Sequence, residues 1–186
     1  LVCKNGILVS YGGGWLFGSR CKIGVNIFPP FRGGESAWIF CQVLRLYHQY
    51  AGASKFVVKP YQFGKGNSEG LKSGAFWFYY KIGFRPDNIQ LRKLALAEWE
   101  KIRSKPGYKT PIGILKQFTT GYLEWQLESD TIEVPDAGTV SKKITEMISR
   151  QFSGNRKNAI SVSSLVLKKK LGAGRLLLRT DIEKKT

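Results

Sequence analysis

Two prolines followed by two glycines constrain this chain more than any other stretch. They sit in Ile27-Phe28-Pro29-Pro30-Phe31-Arg32-Gly33-Gly34-Glu35-Ser36-Ala37. Cys21 to Phe28 reads as a strand, with Ile23, Val25 and Ile27 alternating. Proline has no amide hydrogen to give to a ladder, so Pro29-Pro30 ends that strand. Ser36 to Tyr50 then reads as a helix, with Phe40, Val43, Leu44 and Tyr47 on one face and Gly52 as its stop. Bare amides at a helix N-terminus carry partial positive charge and accept phosphate. Glycine lets the backbone approach a ligand with no Cβ in the way. Arg32 to Ala37 therefore reads as a phosphate cradle.

The neighbouring segments extend the same architecture. Gly6 to Phe17 reads as a strand, with Gly12-Gly13-Gly14 as a bend or bulge, and Lys55 to Lys59 as a short buried strand. A polar loop from Gln62 to Asn67 leads to a second helix, Ser68 to Ile82, with Leu71, Ala75, Phe78, Tyr79 and Ile82 on its face. Phe84-Arg85-Pro86 leaves as a strand. Strand, strand, helix, strand, helix, strand is an α/β order.

Beyond Asp87 the pattern is helical. Leu91, Leu94, Ala95 and Ile102 mark one helix, ended by Pro106-Gly107. Thr110-Pro111 starts another, with Ile112, Leu115 and Tyr122 on its face. Glu128-Ser129-Asp130 begins a polar break. Val140, Ile144, Met147, Ile148 and Phe152 mark a last amphipathic helix, and Ser153 to Asn158 reads as a basic linker. Ala159 to Leu167 fits strand or helix equally. Lys168-Lys169-Lys170 and Lys184-Lys185 make a basic tail. The expected organisation is a core over residues 1–87, a helical region over 88–152 and a basic segment over 153–186.

Composition narrows the partners. Lys and Arg number 30 against 13 Asp and Glu, a formal net charge of +17, which favours an anionic partner or cofactor. Between Leu1 and Ser68 the only acid is Glu35. Cys3, Cys21 and Cys41 are an odd set without CxxC spacing, which argues against a disulfide framework or zinc and for a reducing cytoplasm. A single histidine, His48, cannot make a metal site. No apolar run approaches the roughly 20 residues of a membrane span, so neither a metal nor a membrane is expected.

The span from about Lys22 to Pro86 resembles the GNAT superfamily of acyl-CoA-dependent N-acyltransferases. In that family a strand ends in V-x-P-x-[YF]-R-G, matched here by Ile27 to Gly33, and an x-G-x-[AG] run leads into the helix. Glu35 stands where the second run has glycine, which puts a side chain and a negative charge at the cradle. The family's A-x-x-x-Y-x-x-x-G-F signature is matched by Ala75 to Phe84. Lys72 stands where the family has Asn, and Asn67 serves instead from a longer loop. The family fold opens with a strand and one or two helices that help form the acceptor site, and these are expected to be missing here.

The resemblance implies a mixed sheet flanked by helices, with acetyl-CoA or another acyl-CoA as cosubstrate and an amine as acceptor. Pantetheine would pair with the strand at Ile27 and Phe28. Arg32 and the amides of Gly33, Gly34, Ser36 and Ala37 would hold the pyrophosphate. A backbone amide near Ile27 or Phe28 would stabilise the oxyanion, and Tyr79 would protonate the departing thiolate as general acid. No residue stands out as the general base. Two other readings stay open: a non-catalytic GNAT-like module that binds acyl-CoA or a partner, and a basic nucleic-acid-binding protein, for which weak, salt-sensitive binding follows from charge alone. Tyr79 has a simpler reading too, as a core aromatic among Phe76, Trp77, Phe78 and Tyr80.

Overall fold

The computed structural model describes residues 1–127 and 135–171. The chain divides into two compact units, Leu1–Val134 and Pro135–Thr186.

The first unit is an α/β unit built on a six-stranded mixed sheet. The strands are β1 (Val2–Lys4), β2 (Ile7–Phe17), β3 (Arg20–Ile27), β4 (Lys55–Val58), β5 (Arg85–Pro86) and β6 (Leu123–Gln126), in the spatial order β1-β2-β3-β4-β6-β5. Only β3 and β4 run parallel; every other pair is antiparallel. A parallel pair needs a crossover, and α1 (Ser36–Ala51) supplies it, stopped by Gly52 in the left-handed conformation. The other helices are α2 (Ser68–Lys72), α3 (Ala75–Ile82), α4 (Ile89–Ser104) and α5 (Ile112–Phe118).

One sheet face carries the core. The register aligns Cys21 with Phe56 and Ile23 with Val58, while Val58 also faces Leu123. These residues join Phe40 and Leu44 of α1, Phe76, Trp77, Tyr79 and Tyr80 of α3, Ala95 of α4, and Leu115 and Phe118 of α5 in one buried cluster. The alternate positions present charge: Glu124 pairs with Arg20 at 3.0 Å and with Lys55 at 2.9 Å.

Four expectations change. The helix expected over 68–82 is two helices, because Ser73 and Gly74 break it and Gly74 takes a left-handed φ of 65° as the N-cap of α3. Helix α5 ends at Phe118, so Tyr122 is not on its face; Leu123–Gln126 is instead a strand that inserts between β4 and β5. Strand β1 was not anticipated. Gly12 to Gly14 is no bend, since β2 stays in register with β3 from Ser10 to Phe17. The glycine at position 14 serves close packing: a Cβ there would lie 2.5 Å from Cys21 Sγ and 2.9 Å from the Tyr47 ring. The Gly14 amide donates to the Tyr47 hydroxyl at 2.7 Å.

The described part of the second unit is a pair of helices, α6 (Ala137–Phe152) and α7 (Arg156–Leu171), joined by a tight turn at Ser153, whose φ is 48°. Asp136 caps α6 by accepting from the Thr139 amide. The ambiguous stretch from Ala159 to Leu167 is therefore helix, and the helix already begins inside the expected linker. The polar break from Glu128 and the Lys184-Lys185 tail lie outside the described residues. No described helix is long and apolar enough to cross a membrane.

Candidate functional site

A cleft of about 390 Å³ opens where β3 and β4 part. The two strands pair only from Arg20–Lys55 to Ile23–Val58. Beyond Val58 the chain turns away through Lys59 into the 3-10 turn Pro60–Phe63, while β3 runs on to Ile27, held on its other edge by β2. The β4-facing edge of β3 past Ile23 is thus left without a strand partner, and Val25, Asn26 and Ile27 line the cleft. Gln62 reaches over the gap. Its carboxamide packs on Gly24, where a Cβ would meet Nε2 at 2.9 Å.

One end of the cleft is a turn closed by its own hydrogen bonds, which commit the Gly33 and Ser36 amides expected to hold a pyrophosphate. The prolines force the 3-10 turn Pro29–Phe31, after which Arg32 folds back and its Nε donates to Ile27 O at 2.8 Å. Gly33 has φ 128°, a value that a side chain would oppose. Its amide donates to Ser36 Oγ at 3.0 Å, and the Ser36 amide returns to Gly33 O at 2.9 Å. The first α-helical bond of α1 runs from the Ile39 amide to Glu35 O. Ala37 thus lies in the opening turn, before the ladder begins, and lines the cleft.

The expected acid is not at this site. Glu35 turns to the opposite side of the turn, where both its carboxylate oxygens accept from Lys4 Nζ at 2.8 Å. Glu69 takes the cleft position instead and ion-pairs with the Arg32 guanidinium. Among the described lining residues Arg32 is the only cation and Glu69 the only acid. Both side chains are substantially exposed, and such pairs contribute about 0–1 kcal/mol. A phosphate could displace the carboxylate at little cost.

The interior end is aromatic. Tyr79 is buried, edge-on to Phe40 at 5.4 Å and Phe63 at 6.4 Å. Its hydroxyl donates to Gln62 Oε1 at 3.5 Å, the long limit of a hydrogen bond. Burial pushes the phenol well above its ordinary range, so it stays neutral and protonated.

The cleft brings together Ile27, Arg32, Gly33, Ser36, Ala37, Asn67 and Tyr79. Asn67 is there as a structural group: its Oδ1 accepts from the Gly70 amide at 3.1 Å and caps α2, while Nδ2 donates to Tyr61 O. Phe28 and Gly34 are outside. The Phe28 amide donates to Val9 O at 3.1 Å and its ring lies 5.8 Å from Tyr11, so it belongs to β2 rather than to the cleft. Gln62, Glu69 and Asn26 were not singled out by sequence; Gln62 stood in an anonymous polar loop, and nothing local marks Glu69. His48 is structural, its Nδ1 donating to Ala53 O at 2.9 Å.

Comparison with family models, with curated proteins and with solved structures finds no match to the chain.

Proposed function

We propose that this protein is an acyl-CoA-dependent N-acyltransferase of GNAT type, transferring an acetyl or similar acyl group to an amine. One observation carries the reading: β3 parts from β4 between the turn that positions Arg32 and a buried, neutral tyrosine at position 79. An extended pantetheine arm would lie along the open edge of Val25 to Ile27, as an added strand. The pyrophosphate would take Glu69's place on Arg32, beside the opening turn of α1. That path leads the thioester to Tyr79 and Gln62. An amine then attacks the thioester carbonyl, the C–S bond breaks, the Tyr79 hydroxyl gives its proton to the departing sulfur, and the proton shed by the acylated nitrogen restores the phenol. With the Phe28 amide committed to Val9, the oxyanion donor must come from the open edge of β3. Three free cysteines, Cys3, Cys21 and Cys41, suit a reducing cytoplasm as the place of action.

Calorimetry with acetyl-CoA tests the reading. Saturable binding is expected, and Arg32→Ala should weaken it by about 1.5–3 kcal/mol, the range for a lost charge-assisted contact. Unchanged affinity in a folded variant would sink the phosphate assignment.

The two glutamates separate cleanly. Glu69→Gln should tighten acetyl-CoA binding about two- to fivefold, because it removes a competitor whose pair is worth about 0–1 kcal/mol. Glu35→Gly should leave affinity unchanged, because Glu35 faces Lys4. A reversed pattern in the same titration would place the competing charge at Glu35.

A second reading, a binding module without turnover, draws on one observation. Among the described residues no imidazole lines the cleft, and the single carboxylate there is already held by Arg32. Binding of acetyl-CoA with no transfer to a panel of amines and peptide N-termini would favour it.

A further inference from the structure

A second, larger cavity of about 890 Å³ is formed by the end of α2, by α3, α4 and α5, and by the chain that joins the last two. Trp77, Ile82, Trp99, Ile102, Ile112 and Leu115 make its wall. Trp77 and Trp99 stack with centroids 5.6 Å apart and planes at 27°, and both line the cavity with aromatic carbon.

The cavity is held open by polar bonds behind its wall. Glu98 of α4 is fully buried; it accepts from Lys101 Nζ at 2.7 Å and from the Tyr108 hydroxyl at 2.8 Å. Burial opposes its charge, but the hydrogen bonds from Lys101 and Tyr108 prevail and keep the carboxyl below its ordinary value. Trp77 Nε1 donates to Thr110 Oγ1 at 3.1 Å. Together these bonds tie the connection through Tyr108 and Thr110 to α3 and α4, so that wall exists before any ligand arrives.

The mouth has one sign of charge. Lys72, Lys81 and Lys109 line it and are exposed, and no described lining residue is an aspartate or glutamate. Three ammonium groups around an aromatic hollow select against cations and give an anion both a field and a place to bury an apolar body. A purely apolar ligand would leave the lysines without work, and a hydrophilic anion would leave the tryptophans wet.

We propose that this cavity binds an anionic amphiphile, its apolar body against Trp77 and Trp99 and its anionic head at the Lys72, Lys81 and Lys109 rim. The head is a carboxylate or a phosphate monoester. The site is separate from the β3–β4 cleft, which it meets only at Ala37, Ser73 and Phe78.

The test is titration of the whole protein with decanoate, decyl phosphate, decanol and decyltrimethylammonium, each below its micellar concentration. Tryptophan fluorescence is the readout, since two of the five tryptophans form the wall. At least one of the two anions should bind saturably and at least tenfold more tightly than decanol or the cation, and the better anion identifies the head group. The double variant Lys81→Glu with Lys109→Glu should weaken the anion at least tenfold and leave decanol unchanged. Ile112→Asp, at an exposed position in the first turn of α5, should weaken all apolar-tailed ligands without unfolding the helix. Arg32→Ala, in the other cleft, should leave the affinities for these four compounds unchanged. Equal affinity for all four compounds, no saturable binding, or loss of the anion in Arg32→Ala but not in the lysine variant would each overturn the proposal.

Discussion

Turnover on an amine substrate should fall about 10²–10⁴-fold in Tyr79→Phe, the usual range for losing a positioned acid. The change removes one hydroxyl. Among the described residues it makes one hydrogen bond, the 3.5 Å contact to Gln62, so little hydrogen-bond energy goes with it. The ring keeps its place against Phe40, Phe63, Phe78 and Phe84. Affinity for acetyl-CoA should therefore survive, and kcat should carry the loss. The pH profile adds a second readout. Burial raises the phenol's pKa, so its proton-donating form persists through neutral and mildly alkaline pH, and Tyr79 should cause no decline in rate there. Unchanged turnover in a folded Tyr79→Phe protein would reduce this residue to a core aromatic.

Phe118→Ala should cost about 3–5 kcal/mol of stability, measured by urea unfolding. The side chain is 1% exposed. It stacks on Phe76 with centroids 3.9 Å apart and planes 8° from parallel, and it meets Trp77 edge-on at 5.9 Å. Removing it leaves a cavity among large flat rings that cannot collapse inward without losing the Trp77 bond to Thr110. Tyr50→Ala is the control: at 85% exposed it should change stability by under about 0.5 kcal/mol. A small cost at Phe118 would mean that α5 does not share the core of α3.

Local features were the legible ones. The run from Ile23 to Ala37 specifies strand, turn and helix through alternation, proline and glycine, all acting within a few residues. That is why Ile27, Arg32, Gly33, Ser36 and Ala37 converge in the cleft. Tyr79 arrives because its helix packs under the same sheet face. What the sequence concealed depends on distant partners. Glu35 is three residues from Arg32 in the chain, yet Lys4 of β1 pairs with it and Glu69 comes in from α2. Phe28 looks like cleft backbone until Val9 takes its amide. Strand β6 is four residues long, and only Leu123 and Trp125 alternate there, too few to show a period. The apolar face continues from Leu71 through Ala75 to Phe78 across the break at Gly74, so periodicity alone ran the two helices together.

The late strand has a consequence for how the chain reaches its fold. β4 lies between β3 and β6, and Phe56, Val57 and Val58 within it are all fully buried. Its partner on one side, β6, is synthesised only after α2, α3, α4 and α5, and among the described strands β5 pairs with β6 alone. Throughout that interval the most apolar strand of the sheet is an edge, a template for pairing with another chain. Closing it demands a contact of long sequence separation, the slow kind. Lys55 and Lys59 bracket the apolar run and act as gatekeepers: their charge repels a second copy of the same edge while the nascent chain waits for Leu123.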